Sequence, residues 1–218
     1  MNKFLKTRQE IDEATKFIQD NGLVESGISA KNWEVWQVMP YMKDGDWLDM
    51  GSDGGVVLQN LLAKKINGVK VGVDLSYHLD YYWDIEGILL YKRDLMNTGF
   101  GSNSFDFITS LSVIEHEVDF SRFAKEVSRL LKSGGHLFVS FDYWNPKPLY
   151  EKRKLYKLDW NILDEKDVLN LIDVLRENGL NLVGDIDWTT QDAVINDTYC
   201  SPVQGVSYTF GIFHFIKI

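Results

Sequence analysis

Short apolar runs alternate with amphipathic stripes along this chain, and the order of those patterns predicts its elements. From Lys3 to Asn21, Leu5, Ile11, Ala14, Phe17 and Ile18 recur at helical spacing, with Gly22 where a helix would stop. A second helix is expected from Ser29 as N-cap, carrying Trp33, Trp36 and Val38 ahead of Pro40. Trp47-Leu48-Asp49-Met50 then reads as a strand that breaks into the turn Gly51-Ser52-Asp53-Gly54-Gly55. Val57, Leu58, Leu61 and Leu62 form the stripe of a helix from Val56 to Lys65, and Val69 to Asp74 is a second strand. Two strands around one helix within about 30 residues make a βαβ unit, whose right-handed crossover implies a parallel sheet.

The alternation continues. Tyr77 to Glu86 reads as a short irregular helix, Ile88 to Tyr91 as a third strand, and Asn103 to Leu111 as a fourth introduced by a polar turn. Phe120, Phe123, Ala124, Val127, Leu130 and Leu131 share a helix face that Lys132-Ser133-Gly134-Gly135 should end. His136 to Phe141 is a fifth strand. Asp164 and Asp167 mark a helix start ahead of Val168, Leu171, Ile172 and Leu175, and Gly179 its end. Asn181 to Asp185 is a sixth strand, and Tyr208, Phe210, Ile212, His214 and Ile216 alternate along a last one. No repeat or low-complexity tract interrupts this series.

Composition narrows the class. At 218 residues the chain suits one core with appendages, and 44% hydrophobic with 25% charged residues is ordinary for a soluble globular protein. No apolar run approaches the ~20 residues a membrane span needs. The N-terminus turns polar at Thr7-Arg8-Gln9-Glu10, unlike a secretory signal, and Cys200 has no cysteine partner, so a cytoplasmic setting is expected. A net charge of -9 argues against a broad nucleic-acid surface and leaves small molecules or proteins as partners. Against that background, Lys147, Lys152, Arg153, Lys154 and Lys157 are interleaved with Tyr143, Trp144, Tyr150, Tyr156 and Trp160. This stretch is either a solvated surface or a place to hold a phosphate-bearing substrate. The connection from Trp188 to Gly205 is long for a hairpin, which suggests a substrate-side or self-association segment.

The glycine turn carries the candidate chemistry. Such a turn lets backbone approach a ligand, and the helix behind it offers unpaired N–H groups. Asp74, about 20 residues further on at the next strand end, suits the ribose hydroxyls of a nucleotide-like cofactor. An ordinary strand-to-helix turn is the alternative, and a dinucleotide enzyme also fits these residues alone.

Asp49, Gly51 and Gly55, with Asp53 in place of a middle glycine, resemble the cofactor loop of class I S-adenosylmethionine-dependent methyltransferases. The run from Asn103 through Ser110 and Glu115-His116 to Asp119 resembles that family's fourth-strand motif, in particular the ubiquinone-biosynthesis O-methyltransferase group. Leu130-Leu131-Lys132-Ser133-Gly134-Gly135-His136 is similar to its Leu-Lys-Pro-Gly-Gly passage, with Ser133 for proline. The resemblance spans Trp47 to Phe141. It implies a Rossmann-like α/β fold: a seven-stranded, mostly parallel sheet with helices on both faces and an antiparallel last strand. Residues 1–45 would form a helical cap and 46–218 the methyltransferase domain, with 142–160 and 188–205 as substrate-side insertions.

The same resemblance implies S-adenosylmethionine as cofactor and S-adenosylhomocysteine as product. Asp49, Gly51, Ser52, Asp53, Gly55, Asp74, Leu75, Asp94, Leu95 and Ser110 are the expected cofactor-binding residues. His116 is the candidate general base, its ordinary pKa suiting proton transfer near neutrality; capping the next helix or touching the methionine end of the cofactor is the competing role. His78, His136 and His214 are weaker candidates. Glu115-His116 matches part of a Glu-x-x-Glu-His metal site, but Ser112 replaces the first Glu and no metal is expected. Asp53 could meet the cofactor's ammonium or sulfonium, or point to solvent and cap the helix. The expected activity is methyl transfer to a small molecule, on the oxygen of a sugar or anionic metabolite. A binding or regulatory protein on the same fold is the alternative, and protein or RNA methylation is less favoured.

Overall fold

The computed structural model describes residues 1–75, 86–150, 154–196, 202 and 204–218. His78, Lys152, Arg153, Cys200 and nearly all of the helix expected at Tyr77 to Glu86 lie outside the described residues. The helices are α1 (Arg8–Asp20), α2 (Lys31–Val38), α3 (Val56–Ala63), α4 (Phe120–Leu130) and α5 (Glu165–Glu177). The strands are β1 (Lys3–Phe4), β2 (Trp47–Met50), β3 (Lys70–Asp74), β4 (Leu89–Lys92), β5 (Phe105–Ser110), β6 (Leu131–Tyr143), β7 (Lys154–Leu155), β8 (Leu158–Asp159), β9 (Leu180–Leu182) and β10 (Thr209–Lys217).

Among the described residues, one sheet takes the order β1-β10-β6-β5-β2-β3-β4, with β9 also on β10, while β7 and β8 form a separate hairpin. Strands β4, β3, β2, β5 and β6 are parallel neighbours. β10 runs antiparallel to β6, as expected for the last strand. The sheet has eight strands rather than seven because Lys3 and Phe4, expected in the first helix, pair with Ile212 and Gly211. The reason is packing. Phe4 is fully buried against Tyr143, Trp188 and Phe213, and Leu5 N–H donates to the Phe210 carbonyl at 2.8 Å, so helix cannot begin until Arg8.

The second helix also starts later than expected, at Lys31, with Ala30 rather than Ser29 in the N-cap place. Here the Asn32 side chain accepts from Ser26 N–H at 2.8 Å and fixes the preceding loop. The expected capping box is present on α5: Asp164 accepts from Asp167 N–H, and Asp167 accepts from Asp164 N–H.

Alternation along the strands sorts side chains onto two faces. Leu48, Met50, Ile108 and Val139 join Phe123, Val127, Val168 and Leu171 of α4 and α5 on one face. Trp47, Phe107 and Phe138 join Ile11, Trp33, Val35 and Leu58 of α1, α2 and α3 on the other. Residues 1–45 therefore share a core with the sheet. On this second face the inward positions turn polar toward the strand C-termini: Asp49 follows Trp47, Thr109 follows Phe107, and Ser140 and Asp142 follow Phe138, all of them buried. That polar half lies where the strands feed their loops.

Candidate functional site

The site begins where β2 ends. Gly51, Gly54 and Gly55 all have positive φ, +76°, +79° and +65°, so the turn uses a backbone form that side chains resist. At Gly51 space is a second constraint, because a Cβ there would overlap the methyls of Val113, which crosses the turn from the loop after β5. Gly72 on β3 is needed likewise, since a Cβ would overlap the Ser52 hydroxyl. The turn is thus clamped between two neighbouring strand ends.

Asp74 and the glycine turn meet: Asp74 Oδ2 accepts from Asp53 N–H at 3.1 Å. The Asp53 side chain is exposed and does not cap α3, whose N-cap residue is Gly55. Asp94 accepts from Met96 N–H at 2.8 Å and lies 3.5 Å from Arg122 on α4. Leu95 is buried in the core of the α4 and α5 face, whereas Leu75 is exposed. Ser52 and Ser110 are buried, and among the described residues their hydroxyls have no hydrogen-bond partner. Buried hydroxyls left this way are costly, and both belong to strand-end turns of the expected cofactor site.

Asp49 is buried beneath the turn. Thr109 Oγ1 donates to its Oδ1 at 2.6 Å, and burial pushes its carboxyl pKa up to about 7. Above it lies a cavity of about 430 Å³. Its floor is Asp49 with Gly51 to Gly54, its roof is the loop from Val24 to Ile28 with Lys31, Glu34 and Val35 of α2, and Leu111 and Tyr156 close the far wall. An open turn, a concave volume and the Ser52 hydroxyl in its lining fit a nucleoside-bearing cofactor. Asp74 and Asp94 would hold its ribose and base, and the turn its methionine end.

His116 stands apart from this cavity. Its backbone bridges Trp160, its ring packs edge-on to Tyr156 at 5.6 Å, and Nδ1 is buried without a partner. Burial, with the nearby Lys31 charge, lowers its pKa to about 4, so the imidazole is neutral at ordinary pH. It does not cap α4, because Asp119 does so by accepting from Arg122 N–H at 3.0 Å. His136 and His214 pair with each other at 2.9 Å, away from the turn.

A group that sequence reading overlooked lies between α2 and the polar ends of β5 and β6. Glu34 Oε1 accepts from Ser112 Oγ at 2.7 Å and also from the Ser140 hydroxyl, while Oε2 has no partner among the described residues. Neither oxygen of Glu115 has one from any other described residue. Asp142 accepts from Trp160 Nε1 at 2.7 Å. Burial raises the pKa of all three carboxyls, that of Asp142 to about 7. Burial alone would lower the pKa of Lys31, but Glu34, Glu115 and Asp142 outweigh it and raise it. The signal for this group was the change from Phe138 to Ser140 and Asp142 at alternate positions of one strand.

The comparisons agree with the geometry. A family model described as a methyltransferase domain matches residues 48–139. An uncharacterized protein of Methanocaldococcus jannaschii is 26% identical over 178 residues, 79% of this chain and 79% of that one. An arsenite methyltransferase of Aquipseudomonas alcaligenes is 33% identical over 138 residues, 55% of this chain, and the match spans only 39% of that protein's length. The solved structure of geranyl diphosphate C-methyltransferase from Streptomyces coelicolor has the same fold, with a TM-score of 0.63 over 96% of this chain and 98% of that one at 15% identity. Sequence match and fold coincide: residues 48–139 match a methyltransferase domain, on the fold shared by S-adenosylmethionine-dependent methyltransferases, and both support S-adenosylmethionine as the cofactor.

Proposed function

We propose that this chain transfers a methyl group from S-adenosylmethionine to a small molecule, with an oxygen nucleophile as the first candidate acceptor atom. The cavity carries this reading, because it joins the clamped glycine turn to a wall of α2 and Tyr156 and encloses a volume suited to one cofactor end and a small acceptor. When bound, the cofactor supplies an electrophilic methyl on a sulfonium. The chain's task is then to align the acceptor, exclude water and take up a proton. Leu111, Val35 and Ile28 give the cavity apolar walls, and Asp49 and Glu34 give it acceptors for N–H or O–H groups.

His116 keeps a neutral imidazole able to take a proton, but its lowered pKa makes it a weak base and Tyr156 stands beside it. For an anionic or phosphate-bearing acceptor the support is narrower. Lys147 is engaged by Asp167 at 2.5 Å, and Lys154 by Asp159 at 3.4 Å. Lys157 also has an interaction of its own, and Lys152 and Arg153 lie outside the described residues.

Calorimetry with S-adenosylhomocysteine, followed by incubation of methyl-labelled S-adenosylmethionine with fractionated small-molecule extract, tests the activity. Wild-type protein should bind the product and label a small molecule. Gly51→Val should lose both, because its side chain collides with Val113. Product binding with no labelled compound in any fraction would favour a binding or regulatory role.

A further inference from the structure

The buried carboxylates beside the cavity exceed what the fold uses. Glu34 is 1% exposed and Glu115 2% exposed, yet three of their four carboxylate oxygens have no hydrogen-bond partner among the described residues. Buried carboxylates are normally paired, and an orphaned one marks a place that a ligand completes. The four acidic and basic groups come from three separate segments: Lys31 and Glu34 from α2, Glu115 from the loop after β5, and Asp142 from β6. Lys31 feels all three carboxyls, which burial itself pushes toward their neutral forms. Lys31 and Glu34 both line the cavity, and the unpartnered Glu34 oxygen belongs to that lining residue. Among the described residues, no three such side chains are grouped closely enough to hold a metal ion. An organic cation with N–H donors would supply the partner that these oxygens lack.

We propose that Glu34, Glu115 and Asp142 form the acceptor-recognition site and that the acceptor carries a protonated amino group. This rests on the methyl-transfer reading and adds the acceptor's class to it. The ammonium donates to the free Glu34 oxygen, and its charge favours the ionised forms of Glu115 and Asp142 that burial disfavours, which neutral and anionic analogues cannot do. The rest of the acceptor lies against Val35, Leu111 and Tyr156, between the ammonium and the glycine turn. The anchoring group does not have to be the methylated one, so an amine bearing a hydroxyl satisfies both readings.

Titrating the S-adenosylhomocysteine-saturated protein with benzylamine, benzyl alcohol and benzoate, which share a shape and differ in charge, tests this. Benzylamine should bind at least about tenfold more tightly than benzyl alcohol, with benzoate weakest. Glu34→Gln and Glu115→Gln should each weaken benzylamine at least about fivefold, and Glu115→Gln, at a residue that does not line the cavity, should leave S-adenosylhomocysteine affinity within about twofold. Absence of benzylamine binding, equal or tighter binding of the alcohol or the acid, or variants that lose the cofactor product instead of the amine would overturn the proposal. Should a glutamine variant fail to fold, the three-ligand comparison on the wild type still decides. Loss of product binding in the wild type would instead remove the methyl-transfer reading beneath it.

Discussion

Asp49 illustrates how one residue can be chosen against stability. Its sequence place, at the end of a strand before a glycine turn, marked it as a cofactor residue, and the fold adds that it is buried with a single hydroxyl partner. The sign of its effect follows from its raised pKa. Between the unfolded value near 4 and the folded value of about 7, the native state binds a proton that the unfolded chain releases, so this residue makes the protein less stable as pH rises through that window. Asp49→Asn keeps an oxygen for Thr109 and removes the titration. The stability of the variant relative to wild type, without cofactor, should rise between pH 5 and pH 8 by on the order of 1–3 kcal/mol. Chemical denaturation at the two pH values measures it, and a difference that stays flat would mean that Asp49 does not titrate in this window. His116 shows the opposite shift for the same cause, burial, and a residue type alone could announce neither.

At the scale of elements, strong local signals and weak ones separate cleanly. The capping box of α5 was legible because Asp164 and Asp167 satisfy each other's backbone within one turn. β1 was not legible, because two residues carry no period and their partners lie about two hundred positions away. Their energetic weights run the other way. Phe4→Ala should cost about 3–5 kcal/mol through a cavity among Tyr143, Trp188 and Phe213. Asp164→Ala should cost only about 1 kcal/mol. Urea unfolding of both variants tests the order, and neither should change the affinity of folded protein for S-adenosylhomocysteine, since neither residue lines the cavity.

For the whole molecule, the sheet order puts the β2, β3 and β5 ends side by side, and the N-terminal segment closes over them. Binding should therefore couple segments far apart in sequence. S-adenosylhomocysteine at about 100 times its Kd should stabilise the fold by about 2.7 kcal/mol. It should also slow hydrogen exchange together at 24–28 and 51–59, with little change in α5. Protection confined to 51–59 would show that the N-terminal roof is not part of the bound site.

By itself the sequence determined the α/β class, the order of most elements and the cofactor turn, because hydrophobic period, glycine placement and strand-end acids are local and repeat along the chain. Asp74 was singled out by its spacing from the glycine turn, and Asp49 and Gly51 by resemblance to a cofactor loop. Tertiary structure decided the rest. It placed Val113 over Gly51, paired Lys3 and Phe4 with the last strand, and gathered Lys31, Glu34, Glu115 and Asp142 around one buried charge. Those contacts join segments up to about two hundred residues apart, and their chemistry comes from burial, which arises only when helix and sheet close together.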